Sequence, residues 1–521
     1  MKFSIVKNYE QNIQYNDSFS NEGNIKLTIE PIGVFTILVS FGCFLFGPSV
    51  SMAVFMSFTL LGAAAAAFLT ALGGANIQPA HLLLVFILMD LLLRPGLQHE
   101  ALSALRFPRA GFWLLLTVGY GAAVTIIMPR LFAGAVYVFS PARSDSGAVS
   151  IVSVPLAPTG ANITQTLYFI SDALCFVVFY SYAQRKSAVD DVVRAVIVCA
   201  AINLSFVVVD LATYYTGTAD ILSFMRNSTY RMLDDSEMAG LKRIVGSFTE
   251  ASSFAYTTLA LLAFTLRLWS EGIAPRRTGP LALLSALAVL FATSSAGYVG
   301  LAALLGLQVL SGIRRLLRGR AAPNTVMLLG LAPICLAVIV ACVLLVPQFR
   351  IGVSELLDAT IFNKMSSDSG IERGAWNRQA VVVTQGTMWL GAGIGSLRAS
   401  SWLIAIPANI GAIGTAGYAC FLLAVLFGSH RNDTPSARTV RAAARDACFV
   451  QLVCATVAGA FIDLGLSFFL FAAVASARLP GSRDGSQVDG ASRRAAGRIP
   501  VRRLLRRPAL IPLGYAPETK A

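Results

Sequence analysis

Between Val326 and Pro347 the chain runs for 22 residues without a charged side chain. A helix needs about 20 apolar residues to cross a bilayer, and stretches of similar character recur from end to end. They predict membrane helices near 33–47, 51–72, 79–94, 111–133, 165–184, 193–214, 252–269, 280–294, 297–312, 326–347 and 403–428, with a hairpin inside 447–478 that turns near Asp463. No soluble domain keeps so many such runs in water. With 56% hydrophobic and 13% charged residues and a mean hydropathy of +0.68, the chain is expected to be an all-α polytopic membrane protein of about 12–13 transmembrane helices.

Charge sets the orientation. Short basic loops near 184–194, 274–279, 314–320 and 430–445 belong in the cytoplasm by the positive-inside rule. Segments 134–164, 215–251 and 348–402 are left on the opposite side. The chain thus divides into a polar N-terminal segment 1–31, a helical membrane domain 32–478 and a basic tail 479–521. The opening residues lack the basic n-region and short apolar core of a cleaved signal peptide, so the first span is expected to act as the anchor. From Arg478 onward ten Lys/Arg face three Asp/Glu, about half of the net charge of +14. In a membrane protein that pattern points to a cytoplasmic tail on anionic lipid, not to nucleic acid.

Several chemistries find no support. The eight cysteines, none in a CxxC, lie in or beside apolar runs, and the histidines His81, His99 and His430 are scattered. No metal or other cofactor is indicated, and no Walker or dinucleotide fingerprint occurs.

The segments opposite the basic loops carry the chemistry. In "AGLKRIVGSFTEASSFA", Ala239–Ala255, Lys242, Arg243 and Glu250 stand at the threshold of a span. The longest segment contains Arg350, Lys364, Asp368, Glu372, Arg373, Arg378 and Arg398, with a small-residue run Gly391–Ser396 that permits close backbone approach. Arg373 and Arg378 are five apart at what reads as a helix start, so they face different ways. Such arginines commonly mark the interface, snorkelling to lipid phosphate. Two loops that each place an arginine just before a re-entering helix can instead converge on a diphosphate, which guanidinium groups grip bidentately. Glu250, partly desolvated, is then a candidate general base. Alternatively it pairs with Arg243 or Lys242, or favours a helix N-terminus. Asp368 and Glu372 are rival carboxylates, whereas Asp90, Asp172 and Asp210 read as helix-end residues.

"KRIVGSFTEASSFA" resembles the Arg-x-x-Gly-x-Phe-x-Glu signature of bacterial Wzy-type polysaccharide polymerases and the related O-antigen ligases. "PLAPTGANITQTLYFISD", "SSAGYVGLAALL", "SGIERGAWNRQA", "WLGAGIGSLRASSW" and "NIGAIGTAGY" follow the family's order, so the likeness spans roughly residues 150–425. The resemblance implies a GT-C-like, metal-independent glycosyltransferase of the bacterial inner membrane. It would work at the periplasmic face on undecaprenyl-diphosphate-linked glycan, alongside a flippase and a chain-length regulator of the same pathway. Carried onto this chain, Arg243, Glu250 and Arg373 would be catalytic. Lys242, Gly246, Lys364, Arg378 and Arg398 would bind substrate.

The ligases often present a histidine after the glycine-rich run, where this chain reads Ala399-Ser400-Ser401-Trp402. That departure favours a polymerase over a ligase and leaves the base open. A lipid-linked glycan flippase or other transporter is the rival from a different class. Such proteins usually show related halves and charges along a path, neither of which is evident here.

Overall fold

The computed structural model describes residues 27–69, 75–143, 149–229, 232–233, 236–238, 241–345, 354, 368–429 and 433–480. Arg350, Lys364, the tail beyond 480 and most of the N-terminal segment lie outside the described residues.

The apolar runs become helices: α1 (Pro31–Phe46), α2 (Pro48–Phe58), α3 (Pro79–Leu93), α4 (Pro95–Ala104), α5 (Ala110–Leu131), α6 (Gly160–Tyr182), α7 (Ala188–Thr216), α8 (Ala251–Ser270), α9 (Pro275–Phe291), α10 (Ser295–Leu317), α11 (Pro323–Leu345), α12 (Asp368–Gly386), α13 (Trp402–Phe427), α14 (Pro435–Ala458) and α15 (Leu466–Ser476). Proline opens α1, α2, α3, α4, α9, α11 and α14. Its fixed φ suits the first turn, where its missing N–H costs nothing. Gly47, at φ +80°, separates α1 from α2.

Six helices are long and apolar enough to cross a membrane: α5, α6, α7, α8, α10 and α13. A seventh span results if α3 and α4, bent by 109°, count as one. The expected 12–13 spans therefore reduce, by length and composition, to six or seven among the described residues. Several of the other runs form helices of only 11–17 residues, and α14 carries Arg438, Arg441 and Arg445 in its first half.

The fold also departs from all-α. Strands β1 (Leu27–Ile29), β2 (Ala67–Leu69) and β3 (Ala75–Ile77) form an antiparallel sheet. β4 (Tyr137–Arg143) and β5 (Val149–Pro155) form a hairpin, and β6 (Glu237–Met238) pairs with β7 (Leu241–Lys242). The expected span 51–72 stops at Phe58 because distant segments claim the backbone that follows. Its alanine run Ala63–Ala67 is buried, and the backbone is taken by tertiary partners: the Ala63 N–H donates to Ser247 O at 3.1 Å, and Ser228 N–H to Ala63 O at 3.1 Å. Asn227 pairs with both the N–H and the C=O of Ala65, at 2.8 and 3.1 Å. Alanine's helix propensity is overridden by small side chains that let another chain segment approach.

α8 is the central helix. Its most apolar stretch is 72% buried, against 39% in each of the other five spans. Phe254, Phe264, Phe421, Phe468, Phe469 and Phe471 are fully buried around it and its neighbours. Because α8 has 20 residues, its two ends are about 30 Å apart. At its C-terminal end Arg267, Glu271, Arg315 and Asp446 form an ion-pair network. At its N-terminal end sits Glu250.

Candidate active site

The site is built at the Glu250 end of α8, where segments far apart in sequence meet. The Arg243 loop is held by Asp210, near the C-terminal end of α7. One Asp210 oxygen accepts the N–H groups of Val245 and Gly246, each at 3.0 Å. The other accepts from Arg226 at 2.6 Å and lies 3.7 Å from Lys242 Nζ. Arg226 also donates to Gly246 O at 2.6 Å. Gly246 adopts φ +59°, and a Cβ there would stand 3.3 Å from the Phe254 ring. Glycine is thus required by the turn, so this expected substrate-binding residue acts on the loop's shape. Lys242 is likewise committed inward, its side chain 1% exposed against Asp210 and its ammonium 5.2 Å from the centre of the Tyr214 ring.

Arg243 points the other way. Its Nε donates to Thr293 Oγ1 at 3.1 Å and its NH2 to Thr293 O at 3.3 Å. Thr293, between α9 and α10, is itself held at φ +47°, a conformation that costs a branched residue energy and is kept only where surroundings impose it. Arg243 therefore has hydroxyl and carbonyl partners but, among the described residues, no carboxylate ion pair.

The second loop supplies Arg373 and Arg398. Arg373, half-buried on the first turns of α12, has no hydrogen bond or ion pair among the described residues. Arg378 is exposed and stands apart from the cluster, as the five-residue offset predicts. Arg398 lies over the Trp376 ring at 5.1 Å and within 5.8 Å of the Phe461 ring, its Nε buried without an acceptor among the described residues.

The glycine-rich run delivers Arg398. Gly391, Gly393 and Gly395 all have φ between +78° and +96°, and side chains there would collide with backbone or with Pro129. The run threads between helices. Ala392 and Gly393 donate to the carbonyls of Ala408 and Asn409 at 2.8 and 2.9 Å, where α13 breaks at Gly411. Asn162, on the first turn of α6, donates to Ile394 O and Ser396 Oγ, both at 2.8 Å. The close approach expected of this run is to the protein's own backbone, and "GAGIGS" and "NIGAIG" are two halves of one packing unit.

Electrostatics ties the pieces together. Burial lowers the pKa of Arg243; Glu250 and Tyr298 oppose the shift and Arg373 adds to it. Burial also lowers Arg398, with Glu250 and Glu372 opposing and Arg373 reinforcing. Arg243 and Arg398 are thus each within electrostatic reach of both Arg373 and Glu250. Glu250 precedes the first residue of α8 and accepts a hydrogen bond from Ser252 Oγ. It forms no ion pair with Arg243 or Lys242, so the pairing weighed from the sequence is not made. The arrangement presents fixed positive charge, only partly compensated, to whatever enters between the loops.

Thr293, Trp376 and Phe461 escaped the sequence reading, and Asp210 reads there only as a helix-end residue. Asp210 alone carried a usable signal, an ionisable residue in an apolar helix.

No protein-family model matches the chain, nor does any curated protein or any solved structure.

Proposed function

We propose that this chain is a glycosyltransferase that joins undecaprenyl-diphosphate-linked repeat units into a surface polysaccharide at the periplasmic face of the inner membrane. The observation that carries the reading is the convergence of Arg243, Arg373 and Arg398, from two loops about 130 residues apart, around Glu250 without a neutralising ion pair among the described residues. Partly desolvated arginines suit a diphosphate, which accepts bidentate, charge-assisted hydrogen bonds. In the proposed step the acceptor hydroxyl oxygen bonds to the anomeric carbon while the bond to the diphosphate oxygen breaks. The electron pair leaves with the diphosphate, whose growing charge the arginines stabilise. Glu250 takes the hydroxyl proton. Tail among the apolar helices and phosphates at the arginines is the arrangement that an amphipathic donor requires.

The test is to size the undecaprenyl-linked glycans in cells lacking the protein and in cells carrying Arg243→Ala or Arg373→Ala. Single repeat units facing the periplasm, with polymer absent, are expected in all three. Full-length polymer stranded on the carrier would make the protein a ligase, and units retained on the cytoplasmic side would make it a transporter.

A further inference from the structure

Between α3 and α5 lies a helix that has no part in the proposed transfer. α4 leaves α3 at Arg94 with a bend of 109°, so it runs close to the membrane plane where a continued span would run through it. Its neighbours fix its side of the bilayer. Gln184 Nε2 donates to Ser103 Oγ at 3.4 Å, and Arg109 donates to Tyr180 OH at 3.3 Å. These contacts set α4 beside the end of α6 and the basic loop 184–194, which the positive-inside rule assigns to the cytoplasm.

One face of α4 is committed to the bundle. Ala101, Ser103 and Ala104 are buried, and α5 approaches so closely that a Cβ on Gly111 would stand 2.6 Å from Ala104 O. What remains outward is apolar and basic. Leu102 is 64% exposed and Phe107, in the turn that follows, is 68% exposed, as side chains are where hydrocarbon and not water surrounds them. Phe107 packs edge-to-face on Phe112 and Trp113, with ring centres 5.4 and 5.9 Å away, at the start of α5. Aromatic groups of this kind gather at the boundary between membrane and water.

The charge beside these apolar groups is mostly of one sign. Residues 94–109 hold three arginines against the single carboxylate of Glu100. Arg94 is paired with Asp90 at 2.8 Å. Arg106 is exposed, and its side chain has no hydrogen bond or ion pair among the described residues. Arg109 NH1 donates to Ser103 O at 2.7 Å, and the Arg106 N–H meets the same carbonyl at 3.4 Å. Arg106 and Arg109 thus leave from one turn, and neither has a carboxylate partner among the described residues.

We propose that α4 is an interfacial helix that seats an anionic phospholipid of the cytoplasmic leaflet. Leu102 and Phe107 lie among the acyl chains, as the apolar face of an in-plane helix does. Arg106 and the remaining N–H groups of Arg109 hold the headgroup phosphate, whose negative charge completes theirs. A zwitterionic headgroup brings its own cation to the same place and is held less well. In the orientation that the basic loops indicate, this seat and Glu250 face opposite sides of the membrane, so its ligand is not the glycan donor.

The basic tail is also expected on anionic lipid, so the experiment needs a local readout. The full chain is placed in nanodiscs containing phosphatidylglycerol or phosphatidylcholine with a photoreactive diazirine on one acyl chain, and the adducts are mapped by mass spectrometry. Wild type should be labelled within residues 99–113, and the phosphatidylglycerol probe should be favoured on the order of tenfold, since each basic group near anionic lipid is worth about a factor of five. Arg106→Gln removes no contact within the fold and should cut that preference about fivefold. Arg106→Lys, which keeps the charge, should retain most of it, and Arg106→Gln with Arg109→Gln should erase it. Equal labelling of wild type by the two probes, or no adducts within 99–113, would overturn the proposal. Displacement of the phosphatidylglycerol adducts by inorganic phosphate would also overturn it, by showing a site for the free anion. The readout involves no glycan, so it stands or falls independently of the transferase reading.

Discussion

Replacing Asp210 with alanine should release the Arg243 loop while leaving the bundle folded. Asp210 is 1% exposed at its side chain and meets Arg226, itself 6% exposed, and Lys242, 1% exposed. Removing one member of a buried charge pair costs about 3–5 kcal/mol, because the remaining charge stays desolvated. Leaving the Val245 and Gly246 N–H groups without an acceptor adds about 1–3 kcal/mol each if the loop stays in place. The loop will instead move to relieve both, so the terms overlap and the expected local cost is about 4 kcal/mol. Since each 1.36 kcal/mol is a factor of ten, opening of residues 243–249 should become about a thousandfold more frequent. Hydrogen exchange on the purified protein in nanodiscs reads this directly at the Val245, Gly246 and Phe248 amides, with α8 and α14 as internal controls. Asp210→Asn should show a smaller effect. It keeps one carbonyl oxygen but turns an amide N–H₂ toward either the backbone donors or Arg226. Unchanged protection in 243–249 for Asp210→Ala would refute the claim that Asp210 shapes this loop. Equal loosening across α8 and α14 would show that it supports the whole bundle instead.

Other expectations concern the site itself. Thr293→Val removes the acceptor of Arg243 Nε while keeping shape, and a neutral-hydroxyl hydrogen bond of about 1 kcal/mol predicts a roughly fivefold loss of glycan transfer in a reconstituted assay, with unaltered thermal stability. Arg373→Ala should abolish transfer whereas Arg378→Ala, an exposed residue outside the cluster, should stay within about twofold of wild type; equal losses would contradict the assignment of faces on α12. Gly393→Ala places a Cβ 2.9 Å from Pro129 and 3.1 Å from the Thr125 backbone at φ +96°, so the yield of monodisperse protein should fall in step with strain of about 1–3 kcal/mol. Phe461→Ala removes one aromatic neighbour of Arg398 and should weaken transfer by several-fold without unfolding, as a cation–π contact of about 1 kcal/mol implies.

The arginine cluster was legible as a set of types and not as a geometry. Two loops carrying arginines ahead of re-entering helices could be read from residue order, and Arg243, Arg373 and Arg398 do share one electrostatic neighbourhood. Lys242 shows where that reading stops. It is adjacent to Arg243 and carries the same charge, yet it lies on the strand β7, where successive side chains point to opposite faces. One cation is buried against Asp210 and the next is turned toward Thr293. Gly246 and the Gly391–Gly395 run were recognisable as places of close approach, but what approaches is Phe254, Pro129 and the broken backbone of α13.

Apolar runs located most of the helices and the turn near Asp463 by themselves, because exclusion from water depends on residue type and spacing, both local properties. The alanine run 63–67 marks the limit of that rule. Its helix propensity, a fraction of a kcal/mol per residue, gave way to backbone hydrogen bonds offered by Ser247, Ser228 and Asn227. Which charges meet and which arginines are left without a carboxylate partner among the described residues were decided only by the tertiary structure. Those outcomes depend on distances between groups tens to hundreds of residues apart, and no local pattern along the chain encodes them.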